Sequence, residues 1–301
     1  MARSKNRSTG PHGLLVVDKP TGPTSHDIVA QARRLFETRT VGHAGTLDPL
    51  ASGVLLLLFG EATKLSGHLT SDAKRYRATL AFGATTDTLD AEGSITESRK
   101  LSAGELDRER LEAALAHERA RRAQVPPAYC AIKVAGRRAH RISRSGGEVR
   151  LEPREVEVLD LTLVSVDHAS CCVELTVSKG YYVRAFARDV AAHLGLPGHL
   201  AMLRRLTSGP FTENESHSWP PADRPPLISV ADAARRALPT AALTTTGAQR
   251  ARVGQALTAD DFVVEPPQQV AAWFDETGAV VALGEQRSAG QYAVVRGFAP
   301  T

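Results

Sequence analysis

Asp48 stands in the segment Gly42-His43-Ala44-Gly45-Thr46-Leu47-Asp48-Pro49-Leu50-Ala51-Ser52-Gly53. It is a lone carboxylate among glycines, small residues and a proline, just ahead of the apolar run Val54 to Phe59. The pattern reads as a tight loop feeding a buried strand. Asp-Pro favours turn initiation, which would make Asp48 a turn residue. The other reading is a carboxylate presented for nucleophilic or acid–base chemistry.

A second segment, Lys179-Gly180-Tyr181-Tyr182-Val183-Arg184, sets two aromatics and an arginine just before a helix. It reads either as a strand-to-helix corner with half-packed tyrosines, or as an aromatic face for a base beside a guanidinium for a carboxylate or phosphate. Tyr76, between Arg75 and Arg77 on a strand, has the same two readings. His43 is either a hydrogen bonder of its loop or a ring that stacks on an unpaired base.

Other constellations fail on geometry. Ser25-His26-Asp27 are consecutive at a helix start and point in different directions, whereas a catalytic triad gathers separated segments; Ser25 is better read as an N-cap. Asp87, Asp90, Glu92 and Gly93 miss the EF-hand spacing and read as a turn. The ten histidines form no HExxH pair, and no P-loop or GxGxxG occurs, so neither a metal nor a nucleotide cofactor is implied.

These groups must be positioned by a mixed set of elements. Gly13–Val17 reads as a short buried strand stopped at Asp18-Lys19-Pro20, and Ile28, Val29, Ala32, Leu35 and Phe36 recur at helical spacing after Ser25. Arg75 to Phe82 alternates as a strand with Tyr76, Ala78, Leu80 and Phe82 on one face. Ser102 and Glu105 match a capping box ahead of a helix to about His117. Val156–Val166 and Cys172–Val177 read as an antiparallel pair, and 184–194 as a helix capped by Gly195. After a Pro-rich loop at 213–227 and a helix at 230–238, short strand-like pieces over 269–274, 279–283 and 292–298 indicate a small β unit. The absence of regular βαβ alternation indicates an α+β fold.

The length of 301 residues suggests two domains, and 42% hydrophobic with 23% charged residues describes an ordinary globular protein. The net charge of +4 permits a polyanionic partner. Its basic residues cluster at Arg3, Lys5 and Arg7, at Arg33, Arg34 and Arg39, at Arg137, Arg138, Arg141 and Arg144, and at Arg204 and Arg205, leaving room for a phosphate-contacting face. Three cysteines without CxxC spacing fit a reducing cytoplasm, and no apolar leader or membrane-length run is seen.

Read together, the motifs resemble the TruB-type tRNA pseudouridine synthases. Gly13-Leu-Leu-Val-Val-Asp-Lys-Pro-Thr-Gly-Pro-Thr-Ser25 resembles their first motif, and Gly42–Gly53, continued by Gly60-Glu-Ala-Thr-Lys64, their catalytic motif. Lys74-Arg-Tyr-Arg77, Gly83-Ala-Thr-Thr-Asp-Thr-Leu-Asp90, Gln124-Val-Pro-Pro127, Lys179–Arg184 and Leu203-Arg-Arg-Leu206 follow in the family's order.

The resemblance implies a standalone cytoplasmic enzyme, monomeric and without cofactor, metal or obligate protein partner. Its implied reaction turns uridine 55 in the T-loop of tRNA into pseudouridine, and an accessory tRNA-folding role could coexist. It implies a catalytic core over 11–240 with a mixed, largely antiparallel sheet, behind a disordered basic tail over 1–10. A small β-rich PUA-like domain over 241–301 would hold the acceptor-stem side of the tRNA. By the same resemblance Asp48 is the catalytic carboxylate, Tyr76 stacks on the base and His43 contacts the displaced T-loop. Tyr182 is a second active-site tyrosine, Arg184 pairs with the aspartate, Leu203 lines the pocket, and Lys19 and Pro20 support the active-site loop. A buried Asp48 would be kept ionised by Arg184.

Tyr181 departs from the family pattern where a smaller residue, often Thr or Ala, is usual; in a segment expected to clasp RNA, His140 replaces a tyrosine and Cys130 a serine. Two rival readings remain: a non-catalytic RNA-binding or tRNA-folding protein, and a guide-dependent relative acting on ribosomal RNA. An intact Asp48 and Arg184 argue against the first, and the lack of long charged extensions against the second.

Overall fold

A computed structural model describes residues 10–71, 73–102, 104–130, 133–134, 137–138 and 151–300. Arg3, Lys5, Arg7, His140, Arg141 and Arg144 lie outside these residues.

Nine strands build the main sheet: β1 Gly13–Lys19, β2 Val41–Ala44, β3 Ala51–Phe59, β4 Lys74–Phe82, β5 Val158–Val166, β6 Ser170–Val177, β7 Gly198–Ser208, β8 Phe211–Thr212 and β9 His217–Ser218. Their order is β5-β6-β4-β7-β3-β1-β9, with β2 beside β3 and β8 beside β7. Only β3/β7 and β1/β9 pair in parallel, so the sheet is mixed and largely antiparallel, and the fold is α+β.

The sequence patterns follow from what covers each strand. β1 and β3 are near-continuous apolar runs because both faces are packed. Leu15, Val17, Leu55 and Leu57 belong to one apolar cluster, while Leu14, Val16, Leu56 and Leu58 belong to another. β4 alternates because only one face is packed. Tyr76, Ala78 and Leu80 point inward, and Arg75 and Arg77 both ion-pair outside with Glu174 of β6. Those two arginines are therefore not beside Tyr76 as ligand groups.

Six α-helices among the described residues complete the frame: α1 Ser25–Leu35, α2 Ser66–Ser71, α3 Arg108–Arg119, α4 Val183–Leu194, α5 Val230–Ala237 and α6 Thr245–Arg252. α1, α3 and α4 bury Ile28, Leu111 and Phe186 in the same cluster as the inner face of β4. α4 ends as expected at Gly195, with φ 68°. Two caps differ from the sequence expectation. The N-cap of α1 is Thr24, whose side chain exchanges hydrogen bonds with Asp27, while Ser25 is the buried first helical residue. The N-cap of α3 is Asp107; Glu105 instead folds back onto the Ser102 amide in the preceding turn.

A second sheet, β10 Thr240–Ala242, β11 Leu257–Thr258, β12 Ala271–Phe274, β13 Val280–Ser288 and β14 Gln291–Gly297, runs in the order β10-β12-β13-β14-β11. Its Ala272, Phe274 and Leu283, with Phe298, share one apolar cluster with Leu14, Leu56 and the α5 residues Val230 and Ala233. Lys64 Nζ donates to the Gly297 carbonyl at 2.8 Å and the Ala299 amide to Glu61 at 2.7 Å, clasping the chain end onto the first sheet's flank. No helix among the described residues is long and apolar enough to cross a membrane.

Candidate active site

The loop bearing Asp48 joins β2 to β3 and is fixed by backbone contacts on every side. The buried Ser25 hydroxyl accepts from the Leu47 amide at 2.9 Å and donates to the Leu47 carbonyl at 3.1 Å. The Gly22 amide donates to the Pro49 carbonyl at 2.9 Å. Lys19, fully buried, donates from Nζ to the carbonyls of Pro20 at 2.8 Å, Pro23 at 2.7 Å and Pro49 at 3.4 Å. From beneath, Arg205 donates to the carbonyls of Val54 at 2.6 Å and Gly45 at 2.9 Å.

Gly53, at φ 95°, lets β3 and β7 meet: a Cβ there would lie 2.2 Å from the Arg205 carbonyl oxygen. The Ala51 amide donates to the Asp48 carbonyl at 3.0 Å, so the residue's backbone does form the turn that Asp-Pro suggests. Both readings of Asp48 therefore apply, one to the backbone and one to the carboxylate.

That carboxylate meets Arg184 Nη2 at 2.9 Å. The burial is the reverse of the sequence expectation: the Asp48 side chain is 44% exposed and the Arg184 side chain only 8%. Desolvation falls on the guanidinium, which donates to the carbonyls of Thr88 at 3.0 Å and Tyr129 at 2.9 Å and lies 3.6 Å from the buried Asp90. Asp90 accepts in turn from the Thr88 hydroxyl at 2.6 Å and the Glu92 amide at 3.1 Å. The Asp87–Gly93 segment is thus a turn, as expected, and it also delivers a second acidic partner to Arg184. The α4 N-terminus that carries Arg184 is held by Gln124, which donates to the Tyr182 carbonyl at 3.2 Å and accepts from its amide at 2.9 Å.

A cavity of about 330 Å³ opens beside the pair. Asp48, Tyr76, Tyr182, Arg184, Leu203 and Arg205 all line it, so five of the residues singled out in the sequence converge on one space. Burial, with the Cys130 thiol alongside, pushes the Tyr182 phenol up to about 12, which keeps it protonated near neutral pH and removes it as a base. The unusual Tyr181 is buried, with its hydroxyl 3.5 Å from Glu118 of α3. It also borders the cavity, yet its phenol is anchored in the helix packing.

Lys19 lies under the loop, and burial pulls its ammonium down to about 8 against the opposing pull of Glu92 and Asp48. Pro20 is exposed and faces a different cleft beside Trp219. His43 is half-buried outside the cavity, its ring edge-on to His26 at 5.3 Å. Burial first, then His26 and Arg205, hold its imidazole below the ordinary 6.5. The unfolded chain therefore takes up this proton at a higher pH than the folded chain, and stability should fall as pH drops below 6.5. Urea midpoints should fall more steeply below pH 6.5 for the native chain than for His43→Gln, and parallel curves would contradict it.

Sequence reasoning missed Asp90, Gln124, Ser25 and Arg205 as parts of the site. Asp90 and Gln124 lay inside matched motifs but without a role. Arg204 and Arg205 read as surface cations. In the structure Arg204 bonds Asp18 and Glu213, and Arg205 is buried, on the same strand and two residues from Leu203. Period-2 alternation from Leu203 was the available signal.

A family model described as TruB family pseudouridylate synthase (N terminal domain) matches residues 33–183. The chain is 44% identical over 278 residues to the tRNA pseudouridine synthase B of Cutibacterium acnes, covering 90% of this chain and 92% of that protein. It is 41% identical over 282 residues to the tRNA pseudouridine synthase B of Mycobacterium bovis, covering 92% of each. Its fold is similar to a chain in the solved Cbf5-Nop10-Gar1 complex, with TM-score 0.73 at 20% identity over 96% of this chain and 84% of that one. It is also similar to a chain in an H/ACA RNP bound to a substrate RNA containing 2'-deoxyuridine, with TM-score 0.71 at 20% identity over 100% and 94%.

Proposed function

The chain belongs to the TruB family of pseudouridylate synthases, and from that membership we propose that it isomerises uridine 55 in the T-loop of tRNA to pseudouridine. The observation that carries the reading is the 2.9 Å pair of Asp48 and Arg184 at a cavity lined by Tyr76 and Leu203. The relatives named tRNA pseudouridine synthase B support tRNA as the substrate.

Isomerisation breaks the N1–C1′ bond, turns the uracil and joins C5 to C1′; C5 loses a proton and N1 gains one. The balance is redox-neutral and needs no co-reactant. One carboxylate serves either route to cleavage, by attacking C1′ or by removing the neighbouring sugar proton, and Asp48 is that group. Two flanking carboxylates, the usual glycosidase arrangement, are not required. Arg184 aims the carboxylate and pairs with its charge.

The target base lies in a folded loop and must be flipped out; stacking on Tyr76 and contact with Leu203 offset part of the unstacking. Tyr182 closes the pocket with a neutral phenol, His43 contacts the displaced T-loop, and Lys19 with Pro20 supports the Asp48 loop. Exposed cations such as Arg39 and Lys179 suit the phosphates. We assign 11–240 to the catalytic domain and 241–301 to a PUA-like unit that holds the acceptor-stem side. The enzyme acts alone, as a cytoplasmic monomer.

Release of tritium from tRNA labelled at uridine C5 tests the reading, because that hydrogen leaves when C5 bonds to C1′. The native chain should release label from transcripts with uridine at position 55 and none when position 55 alone carries the label-free cytidine. Equal release from both would sink the assignment. Tyr76→Ala should cut turnover by about 10- to 100-fold through lost stacking, taking about 1–3 kcal/mol per base. Unchanged single-turnover rates would remove Tyr76 from the site.

A further inference from the structure

Arg205 is 1% exposed, and among the described residues its hydrogen bonds go to two backbone carbonyls, Val54 through Nε and Gly45 through Nη2. Its neighbour Arg204 pairs with Asp18 and Glu213, whereas no carboxylate within ion-pair reach of Arg205 is found among the described residues. Lys19 beside it is likewise buried and bonds carbonyl oxygens. A buried cation without an ion-pair partner is costly, and Arg205 is such a cation beneath the loop that bears Asp48. Arg205 also borders the cavity with Asp48, Tyr76 and Leu203, and Nη1 bonds none of the described residues. Among the described residues no anion contacts the Arg205 guanidinium.

The reaction proposed above supplies one. When N1–C1′ breaks, its electron pair stays on N1 and spreads onto O2 and O4. The uracil is an anion until C5 bonds to C1′, C5 gives up its proton and N1 takes one. We propose that Arg205 is a second catalytic residue, whose Nη1 donates to a carbonyl oxygen of the departing uracil while Nε and Nη2 hold the loop. A fixed donor already in place stabilises charge that appears only in the transition state. The inference rests on the uridine-isomerase reading and holds for either role of Asp48, since both expel the same anion.

The test compares T-stem-loops carrying uridine or 5-fluorouridine at the target, because fluorine stabilises the ring anion and makes it a better leaving group. Single-turnover loss of the N-glycoside, read by nucleoside chromatography, requires cleavage but not departure of the C5 substituent. Arg205→Met should slow uridine about 10²- to 10³-fold, the range for losing one such donor, and slow 5-fluorouridine at least about tenfold less. Arg205→Lys, which keeps the cation, should recover part of the rate and show the same selectivity at smaller size, and it serves alone if the methionine variant does not fold. Equal slowing of both nucleosides, or an unchanged uridine rate with a lower melting temperature, overturns the proposal and leaves Arg205 as a loop anchor. If the native chain converts neither stem-loop, the uridine-isomerase reading fails instead.

Discussion

Asp48→Asn is expected to lower turnover on unmodified tRNA by at least about 10⁴-fold, the scale seen when an essential catalytic group is removed. Affinity for the tRNA should stay within about threefold, a change below about 1 kcal/mol. The asymmetry follows from how the loop is held. Ser25, Gly22, Lys19 and Arg205 all grip backbone atoms of residues 45–54, none of which the substitution alters. Arg184 keeps its bonds to Thr88 and Tyr129 and its place beside Asp90. The amide fits the same space but carries neither the charge to attack C1′ nor the basicity to take a sugar proton. Single-turnover tritium release with parallel filter binding checks both halves. A rate within tenfold of native would show that another group does the chemistry.

Arg184→Met should be damaging in two measurable ways. Removing the guanidinium strands Asp90, which is buried and has Arg184 as its cationic neighbour at 3.6 Å. Breaking a buried pair from one side costs about 3–5 kcal/mol because the remaining charge stays desolvated. Turnover should fall as well, since Asp48 loses the partner at 2.9 Å that aims it. Adding Asp90→Asn should restore much of the stability and none of the activity, because it removes the stranded charge without replacing the partner of Asp48. Urea denaturation of the single and double variants reads the first effect and tritium release the second. A single variant within about 1 kcal/mol of native would contradict the burial argument.

How much of this was legible in the sequence depends on range. β4 was readable because its alternation is local, and α4 because Gly195 and the apolar spacing mark its end. Asp48 and Arg184 were both singled out, yet which of them is buried was not readable. That depends on the carbonyls of Thr88 and Tyr129 arriving from two distant loops. Thr24 displaced Ser25 as the cap because Ser25 is drawn inward by Leu47, 22 residues away. Arg205 was misread for a similar reason. An arginine in a basic pair looks like surface until the strand's neighbours, here Gly45 and Val54, are known to surround it.

This chain alone, through Asp48, is expected to form pseudouridine at one position of tRNA. The most direct measurement incubates the purified protein with an unmodified tRNA transcript in a chelating buffer, then maps pseudouridine by carbodiimide adducts and primer extension. One new stop at position 55 with the native chain, and none with Asp48→Asn, is the predicted result. No stop at 55 with the native chain, or the same stop with Asp48→Asn, would contradict it.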